Sequence, residues 1–384
     1  MNSGNTGASS PQEILAAYLV LEDGSIYAGT RLGADVEATG EVVFNTSMTG
    51  YQEMLTDPSY GGQILVPTYP IIGNYGVNDD DWESRRIQVR GFVVRQDCDS
   101  PSHRDSKSTI HEYLVENGIP GVSGVDTRAI TRKLRSRGVM MGLITPQEDI
   151  EYGLKQLGAA PRYGEFDVVA DVSTAETYAW EGGSSRDGGP HVVVIDLGVK
   201  HNILRNLEKR GARVTVAPMD VTAEQVMALE PDGVLLSPGP GDPVFLESVV
   251  EVAKALSEQV PMFGICLGHQ VIAKAFGAET FKLKFGHRGG NHSVMDEESG
   301  RVYVTAQNHG YAVSREGLSD DVMVTHRDLS DDTVEGLRHK TLPIMTIQYH
   351  SEASPGPQDA EYLFDRFMGM VGDGTPSPSG RGLG

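Results

Sequence analysis

The sequence predicts an α/β protein in two parts: a β-rich α/β N-terminal domain, then a C-terminal domain with a doubly wound, mostly parallel sheet and a nucleophile elbow. Three observations support this prediction. After residue 190, continuous apolar segments alternate with helical patterns, which is typical of a parallel sheet covered on both faces. Before residue 155, short strands separated by turns outnumber the helices. Between Phe263 and Gly277, an apolar strand runs into Cys266 and then into a helical pattern.

The N-terminal half contains short strands and two helical segments. A hairpin is predicted at its start, because the apolar segments 18–21 and 26–27 flank the turn residues 22–25. Asp126 is a suitable N-cap for a helix that ends before Gly138. Further strands are predicted at 41–44, 63–66 and 87–94, and helices at 109–117 and 127–137.

The C-terminal half alternates regularly between strands and helices. Its first segment, His191–Asp196, is apolar on both faces, as expected for the centre of a parallel sheet. This β-α-β-α order predicts a doubly wound sheet. Strands are predicted at 191–196, 213–217, 233–237, 261–265 and 342–349, and helices at 200–210, 222–229, 245–258 and 267–276.

The Gly/Ser-rich stretch Gly182–Pro190 marks the change between the two halves and predicts a linker. Low-complexity residues at both ends of the chain predict tails without a packed core. The predicted division is a disordered tail at 1–13, an N-terminal domain at 14–155, a linker region at 156–190, a C-terminal domain at 191–371 and a flexible tail at 372–384.

Composition excludes several classes of protein. The net charge of −21 argues against a nucleic-acid-binding surface, which needs Lys and Arg. No apolar run is long enough to span a membrane, and the N-terminus lacks the basic start and apolar stretch of a secretory signal. The two cysteines, Cys98 and Cys266, do not form a disulfide framework, so a cytoplasmic location is expected.

Cys266 lies in the sequence Gly264-Ile265-Cys266-Leu267-Gly268, which has the spacing of a strand–turn–helix nucleophile elbow. Glycines on both sides allow a tight turn, and the thiol then projects at the carboxyl edge of the sheet. The helix N-terminus favours a thiolate, and the Leu267 N–H is placed to donate to an oxyanion. A buried structural cysteine is the alternative.

A cysteine nucleophile needs a base and a group that orients the base. His350 and Glu352 follow a predicted strand two residues apart, so a Cys-His-Glu triad is predicted. The loop Leu236–Pro243 can supply a second oxyanion donor, and Gln307–Tyr311, lying between strand-like runs, can hold a small polar ligand. The run His287–His292 has no carboxylate or cysteine at metal-ligand spacing, so we interpret it as a turn or an interior polar cluster.

Taken together, these motifs resemble the class I (triad) glutamine amidotransferases, in which GICLGHQ, SPGPGDP, QNHGY and YHSEASPGP occur in the same order. The N-terminal sequences FNTSMTGYQE, YPIIGNYG and SGVDTR resemble the small subunit of carbamoyl phosphate synthetase. The resemblance covers nearly the whole chain between its tails. Three residues depart from the family pattern: Tyr311 replaces the usual Phe, Ser351 a common Pro and Pro238 a frequent Asn.

The resemblance implies that Cys266 attacks the side-chain amide of L-glutamine, forms a γ-glutamyl thioester and releases ammonia. It implies that His350 is the general base and acid and that Glu352 orients it. By the same carry-over, the backbone amides of Gly239 and Leu267 form the oxyanion hole. The glutamine-contact positions are Ser47, Gly239, Gly241, Leu267, Gln270, Asn308, Gly310 and Tyr311.

The chain lacks the G-x-x-x-x-G-K-[ST] sequence of a phosphate-binding loop. By resemblance, ATP and Mg²⁺ belong to a separate large synthetase subunit, which receives the ammonia, and no cofactor and no metal are expected in this chain. Two alternatives remain at this stage: a free-standing Cys-dependent γ-glutamyl hydrolase on the same fold, and a catalytically inactive scaffold.

Overall fold

The computed structural model of the protein describes residues 15–181 and 188–372. The predicted tail at 1–13, the Gly/Ser-rich run at 182–187 and the residues from 373 onward lie outside the described residues. In the described ranges, no helix combines the length and the apolar composition needed to cross a membrane. The fold confirms the predicted α/β class, with a β-rich N-terminal part and a mainly parallel sheet behind it.

The N-terminal part is a closed barrel with strand order β1-β2-β8-β6-β4-β3-β9, and helices α2 and α3 lie against its outside. The strands of this part are β1 Ala16–Leu21, β2 Ile26–Gly33, β3 Ala38–Asn45, β4 Gln63–Pro67, β5 Ile71–Ile72, β6 Gly91–Val93, β7 Gln96–Asp97, β8 Pro120–Ser123 and β9 Met140–Thr145. Its helices are α1 Tyr51–Thr56, α2 Ile110–Glu116, α3 Thr127–Arg137 and α4 Ile150–Ala159.

The C-terminal part contains one ten-stranded sheet of order β10-β12-β11-β13-β14-β19-β18-β16-β15-β17. Its strands are β10 Tyr178–Ala179, β11 His191–Asp196, β12 Arg213–Pro218, β13 Gly233–Leu236, β14 Met262–Ile265, β15 Thr280–Asp296, β16 Val302–Val313, β17 Val322–Asp328, β18 Val334–His339 and β19 Ile344–Ile347. The helices are α5 Val169–Val172, α6 His201–Lys209, α7 Ala223–Ala228, α8 Glu247–Leu256, α9 Leu267–Ala275 and α10 Tyr362–Gly372.

Strands β11 to β14 and β19 pair in parallel and form the buried centre of this sheet. Apolar side chains on both faces pack under the helices, as the continuous apolar runs predicted. Leu236 of β13 pairs with Gly264 of β14, and Ile265 of β14 pairs with Ile347 of β19. The segments after these three strands therefore leave the sheet side by side at its carboxyl edge, where open α/β sheets bind ligands.

Three local predictions differ from the structure. The strand predicted at 87–94 is reduced to Gly91–Val93. The helix predicted at 245–258 begins only at Glu247, because the Asp242 side chain accepts from the Val244 N–H and caps a separate 3₁₀ turn. The runs 287–292 and 307–311 lie inside strands β15 and β16, so 307–311 does not lie between strands. Of the two interpretations of 287–292, a turn or an interior polar cluster, the structure shows the interior polar cluster.

The segment 156–190, predicted as a linker region, contains regular structure in its described part. It includes the end of helix α4, the short helix α5 and strand β10, which pairs with β12 at the edge of the sheet. Tyr163 in the same segment reaches the predicted substrate site, as described below.

Candidate active site

Cys266 lies in a strained turn between strand β14 and helix α9, with a φ of 53°. Both flanking glycines are required by close backbone contacts. A Cβ on Gly264 would lie 2.6 Å from the Gly268 carbonyl oxygen, and a Cβ on Gly268 would lie 2.2 Å from the Leu236 carbonyl oxygen. The predicted elbow therefore exists, and it holds the thiol at the N-terminus of α9, where the helix dipole favours negative charge.

His350 and Glu352 lie close to Cys266 because β19 runs parallel to β14. The Cys266 N–H donates to the Ile347 carbonyl at 2.8 Å, and the segment after β19 then bonds to β16, where the His350 N–H donates to the Ala306 carbonyl at 2.8 Å. His350 Nδ1 lies 2.6 Å from Glu352 Oε1. Its Nε2 has no hydrogen-bond partner among the described residues, so this nitrogen is available to the thiol.

The charges around His350 set its protonation. Burial lowers the pKa of His350, but the negative charges of Glu352 and Cys266 outweigh burial and raise this pKa to about 10. The imidazole is therefore protonated at neutral pH. An imidazolium beside a cysteine is the arrangement that activates cysteine nucleophiles in enzymes.

Glu352 is itself held ionised by a buried lysine. Lys200 Nζ lies 3.0 Å from Glu352 Oε1, and the same ammonium donates to the Ala353 carbonyl. Burial raises the pKa of Glu352, but Lys200 and His350 lower it to about 2. Lys200 was not predicted as a site residue, because a lysine at the start of a predicted helix is usually exposed.

The expected oxyanion donors lie beside Cys266. Leu267 is the first residue of α9, so its N–H has no acceptor within the helix. Gly239 follows β13, and a Cβ there would lie 1.9 Å from the Leu197 carbonyl oxygen and 2.9 Å from Leu267 Cδ2. Only glycine fits this position, which brings the backbone of the 237–241 loop close to the elbow.

One cavity contains most of the predicted glutamine-contact residues. Gln270 donates through Nε2 to the Tyr311 carbonyl at 2.8 Å and to Gln348 Oε1 at 3.0 Å, which fixes its amide at the cavity wall. The Asn308 carbonyl lies 3.8 Å from Cys266 Sγ. The predicted residues that line this cavity are Gly239, Gly241, Cys266, Leu267, Gln270, Asn308, Gly310 and Tyr311.

Ser47 lies outside that cavity. It lines an adjoining cavity together with Asn308 and His350, and its N–H donates to Asn45 Oδ1 at 2.7 Å. Both cavities lie at the junction of the two domains. A contact between Ser47 and glutamine therefore stays a prediction.

Further residues near the site come from distant parts of the chain and were not predicted from the sequence. Tyr163 accepts the Gly241 N–H at 2.9 Å through its hydroxyl oxygen. Arg288 and Glu41 face the same cavity. Asp57 of the N-terminal domain lines the adjoining cavity instead, where it accepts from Asn308 Nδ2 at 3.1 Å. None follows a recognisable local motif, because strand pairing and domain packing bring them to the site.

The histidines of the 287–292 run form an interior polar cluster with carboxylates from β17, β18 and the loop between them. His287 Nε2 lies 2.8 Å from Asp331 Oδ2. Burial lowers the pKa of His287, but its contacts with Asp331 and Glu335 raise it to about 10. Two overlapping sets of side chains are close enough to bind a cation: His287, His292 and Asp328, and His287, His309 and Glu335. The carboxylates that sequence spacing did not reveal come from other strands.

Comparison with known proteins shows the family of each half of the chain. Residues 19–144 match the family "Carbamoyl-phosphate synthase small chain, CPSase domain", and residues 193–370 match "Glutamine amidotransferase class-I". Three similar proteins are each named carbamoyl phosphate synthase small chain. The one from Listeria monocytogenes serotype 4b is 49% identical over 92% of this chain and 96% of that protein. Those from Staphylococcus haemolyticus and Bacillus caldolyticus are 50% and 51% identical over 92% of this chain and 95% and 96% of their own lengths.

Proposed function

The chain belongs to the carbamoyl phosphate synthase small chain family, and we propose that Cys266, His350 and Glu352 carry out its glutamine hydrolysis. Glutamine hydrolysis is the activity of this component, which is a class I glutamine amidotransferase. The observation that carries the assignment of residues is the buried His350–Glu352 pair beside the elbow cysteine, with Nδ1 and Oε1 2.6 Å apart.

In the first half of the reaction, the Cys266 sulfur attacks the side-chain amide carbon of glutamine, and a C–S bond forms. The carbonyl oxygen becomes an oxyanion, and the N–H groups of Leu267 and Gly239 stabilise it. His350 donates a proton to the departing nitrogen, the C–N bond breaks and ammonia leaves. A γ-glutamyl thioester then remains on Cys266.

In the second half, His350 takes a proton from a water molecule that attacks the thioester carbon. The C–S bond breaks, glutamate leaves, and the sulfur regains its negative charge beside the imidazolium. Glu352 holds Nδ1 throughout, so that Nε2 faces the reacting atoms. Lys200 keeps Glu352 ionised and in place.

We further propose that the ammonia passes to the large synthase subunit, which binds ATP, Mg²⁺ and bicarbonate. The absence of a phosphate-binding loop sequence in this chain supports that division. We expect the complex to be cytoplasmic. The match of residues 19–144 to the small-chain family disfavours a free-standing γ-glutamyl hydrolase, and the hydrogen-bonded His350–Glu352 pair disfavours an inactive scaffold.

The triad assignment is tested with a glutamine analogue that carries a diazoketone in place of the amide. We expect peptide mass analysis to find the label on Cys266 and not on Cys98. Cys98→Ser is the matched control and should label normally. Cys266→Ser should lose glutaminase activity, yet it should still support synthesis from added ammonia when combined with the large subunit.

Two results would contradict this assignment. One is labelling at Cys98 in the wild-type chain. The other is glutaminase activity in Cys266→Ser that matches the wild-type rate. Loss of both the glutamine-dependent and the ammonia-dependent reactions in Cys266→Ser would point instead to a failure of folding or assembly, which the Cys98→Ser control calibrates.

A further inference from the structure

Arg288 places a guanidinium at the substrate cavity. Its side chain is only 5% exposed, and the residue lines the same cavity as Cys266 and Gly241. The backbone position is fixed by strand pairing, since Arg288 of β15 lies opposite Asn308 of β16. A guanidinium carries its positive charge at every physiological pH. The cavity therefore contains a permanent buried cation that the triad mechanism does not use.

This cation has no counter-charge in the described part of the chain. Its Nη1 donates to the Phe285 carbonyl at 2.7 Å, and its Nε has no hydrogen-bond partner. Among the described residues, no carboxylate oxygen lies within 4.0 Å of a guanidinium nitrogen of Arg288, which is the limit for an ion pair. A buried charge without a partner is costly, because the desolvation of the charge is not repaid.

Glu41, in the same cavity, shows the opposite situation. Its Oε1 accepts from Lys282 Nζ at 2.9 Å, and its Oε2 accepts from Gln63 Nε2 at 3.0 Å. The carboxylate of the cavity is therefore already compensated, and the guanidinium is not. The charges of the cavity therefore favour binding of an anion beside Arg288.

The guanidinium lies at the corner of the cavity formed by Gly310. A Cβ on Gly310 would lie 3.3 Å from Arg288 Nη2. Gly310 is a predicted glutamine contact, and Cys266, which is expected to attack the side-chain amide, lines the same cavity. A substrate that presents its amide to Cys266 therefore brings its charged end within this cavity.

We propose that Arg288 binds the α-carboxylate of glutamine, an inference that rests on the proposed function of this cavity. The planar guanidinium offers two parallel N–H donors, which match the geometry of a carboxylate. The pairing compensates the charge of the guanidinium and orients the substrate with its amide toward Cys266. Arg288 thereby selects amides that carry a free α-carboxylate.

The test compares three substrates by steady-state ammonia release from the full-length chain combined with the large subunit. They are glutamine, γ-aminobutyramide, which lacks the α-carboxylate, and glutaramate, which lacks the α-amine. In Arg288→Met, we expect the preference for glutamine over γ-aminobutyramide in kcat/KM to fall roughly 10- to 100-fold, as for loss of a charged hydrogen bond. The preference over glutaramate should stay near the wild-type value, and the loss for glutamine should appear mainly in KM.

Arg338→Met is the matched control, because Arg338 carries a guanidinium outside this cavity that already pairs with a carboxylate, Glu298. It should keep the wild-type preference for the α-carboxylate. Arg288→Gln, also neutral but polar, provides a second variant if Arg288→Met does not fold, and it should show the same loss of preference. Alkylation of Cys266 by iodoacetamide reports whether the elbow is intact in each variant.

An unchanged preference for glutamine over γ-aminobutyramide in a folded Arg288 variant would overturn the Arg288 assignment alone. Equal losses for glutamine and γ-aminobutyramide would also overturn it, because they would mean that Arg288 only shapes the cavity. Absence of ammonia release from all three substrates in the wild-type chain would instead contradict the proposed function itself.

Discussion

At the scale of single residues, His350 is buried together with the Glu352 carboxylate and the Cys266 sulfur. Its pKa of about 10 lies well above the ordinary value of 6.5, and that of Glu352, about 2, lies below the ordinary 4.5. The pair therefore stabilises the fold between these limits. The His350 contribution is complete below pH 6.5 and is lost as pH rises through 10, whereas the Glu352 contribution is present above pH 4.5 and is lost as pH falls through 2.

The substitution Glu352→Gln tests which group sets the charge on His350. We expect the pKa of His350 to fall, because Glu352 is the largest contribution that raises it. NMR titration of the ¹⁵N-labelled imidazole measures this change directly. Glu361→Gln, which alters a carboxylate in a peripheral pair with Lys209, is the control and should leave the His350 titration unchanged. An unchanged His350 titration in Glu352→Gln would contradict the orienting role.

Activity should distinguish the two triad residues as well. Removal of the base in His350→Ala should lower kcat by roughly 10²- to 10⁴-fold. Glu352→Ala should be less damaging, because the imidazole itself remains. The reverse order of kcat values would show that the two roles are misassigned.

At the scale of elements, the elbow depends on a close approach of α9 to the end of β13. A Cβ on Gly268 would lie 2.2 Å from the Leu236 carbonyl oxygen. Because that oxygen is a backbone atom, rotation of a side chain cannot remove the clash. The N-terminus of α9 would have to move, together with the Leu267 N–H. Glycine at this position is thus a condition for placing the oxyanion donor.

We expect Gly268→Ala to destabilise the fold by about 1–3 kcal/mol through overpacking. Glutaminase kcat should fall roughly 10²-fold, because the elbow shifts. Gly369→Ala is the matched control: Gly369 lies inside α10 with nothing within 4 Å of an added Cβ, so the change should stabilise the chain by about 0.5–1 kcal/mol. Thermal unfolding and glutaminase kinetics check both variants, and equal gains in stability would contradict the close-approach argument.

Elements with a strong local pattern could be predicted from the sequence, and elements that depend on distant partners could not. The elbow and α9 follow from residues 263–277 alone, and the capped helix α3 follows from Asp126 and Gly138. Strands β15 and β16 escaped prediction, because their glycines, histidines and amides do not alternate with apolar residues. Their polar side chains are stabilised by carboxylates from β17, β18 and the intervening loop, which lie 20 or more residues further along the chain. Arg288 was missed for the same reason.

At the scale of the whole molecule, a residue of the N-terminal domain completes a helix of the C-terminal domain. Helix α6 of the C-terminal domain has no side-chain cap of its own. Glu83 of the N-terminal domain supplies it: the Glu83 carbonyl accepts the His201 N–H at 2.9 Å, and Glu83 Oε2 accepts the Asn202 N–H at 3.0 Å. Arg205 completes the contact, with Nη1 3.2 Å from Glu83 Oε1. A residue of the N-terminal domain therefore caps the N-terminus of helix α6 in the C-terminal domain.

This contact predicts an order of stabilities. Glu83→Ala should cost more than the ~1 kcal/mol of an ordinary cap, because it removes both the bond from the Asn202 N–H and the ion pair with Arg205. Thr222→Ala, which removes the local cap of α7, is the comparison and should cost about that ordinary amount. Chemical denaturation measures both, and a smaller loss in Glu83→Ala than in Thr222→Ala would contradict the role of Glu83.

The charge of Glu83 adds a dependence on pH. Burial raises the pKa of Glu83 to about 7, against an ordinary value of 4.5, because the buried site favours the protonated carboxyl. The stability gained from this preference is complete below pH 4.5 and is lost as pH rises through 7. Glu83→Gln keeps an acceptor for the helix and removes this titration. We expect its stability relative to wild type to improve from pH 5 to pH 8 in the same denaturation experiment.

The borrowed cap has a consequence for how this enzyme can be taken apart or recombined. Family boundaries at 19–144 and 193–370 suggest two interchangeable modules. A fragment that begins at residue 188 would nevertheless lack Glu83, which accepts from the Asn202 N–H, and Asp57, which accepts from Asn308 Nδ2. A chimera that joins this amidotransferase half to a foreign N-terminal half should therefore retain the stretches around Asp57 and Glu83. These stretches lie in the N-terminal half of the sequence, but their hydrogen bonds complete the structure of the C-terminal domain.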